Sequence, residues 1–140
     1  MANIILVGVD GSDTARKAAQ TAAELALATG ATLHVLTAFD KADIERIEIG
    51  HDTWVVSSYD EAENVAKDTA QTLKDAGLTI EVSALHGKPA EALVEEAKHL
   101  EARLIVVGNR RVQGIGRILG SVAASVAQHA PCDVYIVKTV

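Results

Sequence analysis

Apolar residues fall along this chain in two alternating regimes: short unbroken runs, and longer stretches in which they recur every three or four positions. Ile4 to Val9 is an unbroken run ending at Asp10-Gly11-Ser12, which predicts a strand buried on both faces, then a turn and a helix cap. From Ser12 onward Ala15, Ala18, Ala19, Ala22 and Ala26 recur at helical spacing until Gly30 supplies a stop. Thr32 to Thr37 reads as a second strand. Phe39 to Val56 mixes charged and apolar residues without a period and is expected to be a long connection over the carboxyl edge of the sheet, placed to act as a lid. Ser58 and Glu61 have the spacing of a capping box. Ala62, Val65, Ala66, Thr69 and Leu73 then mark one face of a second helix ending at Gly77.

Leu78, Ile80 and Val82 alternate with Thr79, Glu81 and Ser83, the pattern of a third strand covered on one face, as at a sheet edge. Pro89 suits the first turn of a helix whose buried face is Ala90, Leu93, Val94 and Ala97. Leu104 to Val107 is a doubly buried fourth strand closed by Gly108. After a loop containing glycine and arginine, Ser121 can cap a short helix through His129, and Pro131 precedes a last strand from Asp133 to Val137. The order βαβαβαβαβ predicts an α/β fold: a parallel sheet with right-handed crossovers and helices on both faces. No repeat or composition break divides the chain, and at 140 residues the default is one domain, 1–140.

Composition sharpens this picture. Hydrophobic residues are 49% of the chain but aromatics only 3%, so the core must be built from small aliphatic side chains at close approach. The formal net charge of −6 gives no electrostatic reason to expect nucleic acid or an anionic membrane as partner. Met1-Ala2-Asn3 leads into an apolar run without a basic leader, and no run approaches membrane-spanning length, so the expected location is cytoplasmic. Cys132 is the one cysteine, which excludes an intrachain disulfide and suits a buried structural thiol. The five histidines, His34, His51, His86, His99 and His129, show no metal-ligand spacing and no nucleophile beside them. They are expected on the surface or behind the site, and neither a metal centre nor a catalytic group is predicted.

Candidate chemistry gathers in two loops. In open α/β sheets ligands settle outside the carboxyl ends of strands where the strand order reverses. The loops after the first and fourth strands both carry glycine: Val9-Asp10-Gly11-Ser12, and Gly108 to Ser121, which reads GNRRVQGIGRILGS. A glycine-rich turn that opens on a strand and closes on a helix N-terminus can present backbone N–H groups to phosphate.

These residues, together with the opening VGVDGS, the VVGN stretch at Val106 to Asn109, the GSVA helix start and the closing APCDVYIVKT, resemble the universal stress protein family over essentially the whole chain. The ATP-binding members of that family carry G-x2-G-x9-G-[ST] after the fourth strand. The resemblance implies an open twisted five-stranded parallel sheet ordered 3-2-1-4-5, of the adenine nucleotide alpha-hydrolase-like type. The loops after strands one and four would then be two walls of one cleft. It further implies that Gly8, Val9, Asp10 and Ala38 lie near adenine and ribose, Val107 and Gly108 beneath the ribose, and Gly120, Ser121 and Val122 at the phosphates. Arg111 stands where the family has its second glycine, and the segment from there to Gly120 is one residue shorter than the pattern. Either Arg110 and Arg111 replace backbone contacts to the phosphates with charge-assisted bonds, or Arg111 fills the distal phosphate space and favours AMP, a cyclic nucleotide or none. The function implied is a stress-response sensor that binds ATP, with or without Mg2+, or another adenine nucleotide. A slow ATPase and a nucleotide-free interaction protein are the alternatives. Val134, Tyr135, Ile136 and Val137 form an apolar edge strand, which invites antiparallel pairing into a homodimer.

Overall fold

The computed structural model describes residues 2–39, 44–49, 52–109 and 119–139, with the backbone alone at 44–49 and 52–58. Five strands make one parallel sheet: β1 (Ala2–Gly8), β2 (Thr32–Phe39), β5 (Ile80–His86), β6 (Ala102–Gly108) and β7 (Asp133–Val137). A hairpin of β3 (Ile44–Ile49) and β4 (Asp52–Ser57) forms a separate antiparallel pair. The helices are α1 (Asp13–Thr29), α2 (Ser58–Thr72), α3 (Pro89–Leu100) and α4 (Ser121–His129). The sheet order is β5-β2-β1-β6-β7, which is the expected 3-2-1-4-5 once the hairpin is counted in. β1 is central, pairing with β2 at Val7↔Val35 and with β6 at Val7↔Val106.

Both ends of α1 and the start of α3 have a chemical cause. Ser12 is the N-cap of α1, its hydroxyl accepting from the Ala15 N–H at 3.2 Å, and Gly30 closes that helix in the left-handed conformation. Pro89 stands in the first turn of α3, where its missing N–H costs nothing. One apolar cluster joins the alanine face of α1 and Ala66 of α2 to Ile5, Val7, Leu33, Val35 and Val106. The other joins Leu93 and Ala97 of α3 and Ala123 and Val126 of α4 to Leu6, Leu36, Ile105 and Val107. Two helices therefore cover each face, and β1 and β6 contribute alternate residues to both.

Several expectations change. The stretch read as a long connection without a period contains the β3–β4 hairpin, paired from Ile44↔Ser57 to Ile49↔Asp52. Ser58 is a helical residue of α2 rather than its cap. That helix stops at Thr72, and beyond it Gly77 donates its N–H to Asp75 Oδ1 at 3.0 Å in a turn. The α4 cap is Gly120, one residue before Ser121. His34 is buried at 6% exposure rather than on the surface. Among the described residues no helix is long and apolar enough to cross a membrane.

Candidate functional site

The chain leaves β1 toward one side of the sheet, through α1 to β2, and leaves β6 toward the other, through α4 to β7. Their carboxyl ends therefore part around a crevice, as the geometry of open α/β sheets requires. A cavity of about 140 Å³ lies there. Gly8, Val9 and Asp10 from the end of β1, Ala38 from β2, Val107 and Gly108 from β6, and Val122 from α4 line it, which brings together seven of the sequence-derived candidates. Gly120 and Ser121 stand at the start of α4 just before Val122, without lining the cavity. Arg110 and Arg111 lie outside the described residues.

Ser12, Thr14 and Ala15 of α1, Leu36 of β2, and Pro89 and Leu93 of α3 complete the lining. Sequence reasoning did not select them, although a signal was present. Asp10-Gly11-Ser12 announces that the first turn of α1 rises from the same edge, and Pro89 marks a helix starting at that edge too.

Two glycines in this wall are demanded by neighbours within the protein. A Cβ on Gly8 would meet Leu93 Cδ1 at 2.9 Å, and one on Gly108 would meet Thr14 Cγ2 at 2.9 Å and the Thr14 carbonyl oxygen at 3.1 Å. They let α3 and α1 close onto the ends of β1 and β6, and so set the width of the crevice.

The floor is apolar, from Leu36, Ala38, Leu93 and Val107, and polarity enters at the mouth with Asp10, Ser12 and Thr14. Asp10 is exposed, and its Oδ1 accepts from the Ser12 N–H at 2.9 Å, which fixes the carboxylate over the turn. Among the described residues Asp10 is the one charged residue in the lining. An apolar cavity of about 150 Å³ accommodates a single aromatic ring. This one thus suits a flat base, with any sugar and charged group left at the polar mouth.

Beside Ala38, Phe39 stacks edge-on against Tyr59 and His86, with ring centroids 5.7 and 5.6 Å apart. The Tyr59 hydroxyl is pushed above its ordinary range, first by its hydrogen bond to Glu63 and then by that carboxylate's charge. Glu63 is held low by its hydrogen bonds to Lys67 and Tyr59.

A second polar group lies within the sheet. Ser83 Oγ donates to Glu96 Oε2 at 3.4 Å and lies 2.8 Å from His34 Nε2. His34 comes from β2, Ser83 from β5 and Glu96 from α3, so the cluster ties α3 to the sheet. Cys132 is partly buried, and burial, then the neighbouring Asp133 charge, pushes its thiol up, as suits an unreactive group. Among the described residues no group of three His, Cys, Asp or Glu is arranged to hold a metal.

The model of the Universal stress protein family matches residues 1–138. The chain is 35% identical to universal stress protein Rv1636 of Mycobacterium tuberculosis, across 96% of this chain and 95% of that one. It is 33% identical to universal stress protein YxiE of Bacillus subtilis, across 99% and 100%. Among solved structures, a universal stress protein in complex with cAMP superposes with a TM-score of 0.71 at 32% identity, covering 98% of this chain and 97% of that one.

Proposed function

The chain belongs to the universal stress protein family, and from that premise we propose that it is a single-domain cytoplasmic sensor that binds one adenine nucleotide at the ends of β1 and β6. The observation that carries this reading is the cavity at the reversal of strand order, apolar in its floor and polar at its mouth. The adenine enters between Ala38, Leu36 and Val107, and the ribose hydroxyls face Asp10, whose carboxylate the Ser12 N–H already orients. The phosphate lies toward Gly120, Ser121 and Val122 at the start of α4, where the helix dipole favours negative charge. The cAMP bound by the related structure supports an adenine ligand. Arg111 in place of a glycine favours one phosphate over three. Were a triphosphate to bring Mg2+, Asp10 is the carboxylate the lining offers it.

Occupancy is read out through the hairpin or through self-association. β7 ends the sheet with Tyr135 46% exposed, and an open apolar edge favours pairing with a second copy. Binding without turnover suits a lining in which Asp10, the one carboxylate among the described residues, is already bonded to backbone.

The test is calorimetric titration of nucleotide-stripped protein with AMP, cAMP and ATP plus Mg2+, alongside light scattering. Saturable one-to-one binding of AMP or cAMP by a dimer is the expected result. Tighter binding of ATP would overturn the role given to Arg111. No binding of any of the three would overturn the nucleotide reading and leave a protein-interaction module, for which the departure of the loop from the family glycine pattern is the supporting observation.

A further inference from the structure

Asn109 follows β6 directly, and three of its polar groups are bound, two to the segment that ends β7 and one to the start of α4. Its N–H donates to the Val137 carbonyl of the edge strand at 3.1 Å. Its own carbonyl accepts from Thr139 Oγ1 at 2.9 Å, and its side-chain Oδ1 accepts from the Gly120 N–H at 2.8 Å. Thr139 is itself buried, and its carbonyl takes the Lys17 ammonium at 3.3 Å. The Gly120 bond joins residues eleven apart, across the whole loop between β6 and α4. Gly120 is the N-cap of α4 and has no side chain with which to satisfy an orphan amide of the first turn.

We propose that Asn109 is the positioning residue for the phosphate end of the site. Its carboxamide oxygen sets the start of α4 against the end of β6, and the Thr139 tail holds Asn109 in place. The inference rests on the nucleotide reading above. Val122, two residues beyond Gly120, lines the cavity, so the first turn of α4 cannot shift without moving the wall. Direct contact between Asn109 and a ligand forms no part of the role, since Asn109 does not line the cavity.

A residue that only stabilised the fold would affect every ligand alike. A residue that aims the first turn of α4 affects the phosphate alone. Asn109→Ala should therefore weaken AMP about tenfold, the scale of one lost hydrogen bond to a charged group, and leave adenosine within about twofold. Thr139→Val, farther from any ligand, should shift AMP the same way by less, and serves if the alanine variant fails to fold. In the ligand-free protein the Gly120 amide should exchange with solvent faster in Asn109→Ala and keep its protection in Asn109→Asp, which retains the acceptor. Unchanged Gly120 exchange in Asn109→Ala, or equal losses for AMP and adenosine in both variants, overturns the inference alone. A wild type that binds neither ligand overturns the nucleotide reading and the inference with it.

Discussion

Placing one methyl group at Gly108 tests the closeness of α1 to β6 directly. The new Cβ would lie 2.9 Å from Thr14 Cγ2, 3.1 Å from the Thr14 carbonyl oxygen and 3.5 Å from Thr139 Cγ2, against an optimal carbon–carbon separation of about 3.5–4.0 Å. The threonine methyl is on a stiff β-branched side chain, and the carbonyl belongs to the first turn of α1, so relief requires the helix to move. Overpacking of this kind costs about 1–3 kcal/mol. Gly108 is not among the glycines with positive φ, so alanine also narrows the unfolded ensemble and returns about 0.4–1 kcal/mol. At the middle of both ranges Gly108→Ala should thus lose about 1.3 kcal/mol net, a fall of roughly 5 °C in Tm at this chain length. Urea unfolding followed by circular dichroism should show a lower midpoint at unchanged slope. Adding Thr14→Ser removes the methyl but leaves the carbonyl, and should recover about half the loss, with the difference appearing as coupling in a double-mutant cycle. A Gly108→Ala protein as stable as wild type, or a cycle without coupling, would refute the stated contact between α1 and β6.

Three further outcomes follow from contacts already described. Ser83→Ala strands the buried His34 Nε2 and removes a donor from Glu96, so stability should fall by about 1–3 kcal/mol; a loss under about 0.5 kcal/mol in the same assay would mean the hydroxyl is dispensable. Glu101 closes α3 in the left-handed conformation at φ 52°, which a side chain resists. Glu101→Gly should therefore raise stability by about 0.5–1 kcal/mol, and a loss would show that the glutamate makes a compensating contact. The raised Cys132 thiol should react with iodoacetamide at neutral pH more slowly than in the unfolded chain, and Asp133→Asn should speed it by removing the second cause of the shift; an unchanged rate would assign the shift to burial alone.

The main architecture was legible because each of its strands and helices carries its own period. Ile4 to Val9 and Leu104 to Val107 are apolar without a break, and their burial on both faces follows from the two helical layers. The hairpin was not legible in the same way. Ile44, Ile47 and Ile49 do not keep a period of two, so the alternation that marks a strand is missing from β3. Its signal was the Gly50-His51 pair between Ile49 and Asp52, a two-residue connection of the kind hairpins use. The start of α4 was misplaced for a non-local reason. Ser121 has the chemistry of a cap, but Asn109, distant in sequence, binds Gly120 first. Likewise His34 looked like any other histidine until Ser83 and Glu96 met it from two other elements. Of the candidate site, the walls set by strand ends were readable, whereas those contributed by α1 and α3 depend on how helices lean over an edge, which periodicity does not encode.

The inward face of α1 is made of alanines, Ala15, Ala18, Ala19, Ala22, Ala23 and Ala26, all buried. Such a face works as a shim of minimum thickness. Its far end, around Ala22 to Ala26, is more than a turn from the cavity, yet α1 is one rigid rod of seventeen residues. A valine or leucine introduced there would tip the rod and swing Ser12 and Thr14 at the other end. Related chains could then retune the aperture for different ligands through positions no ligand ever touches, while the residues lining it stay the same.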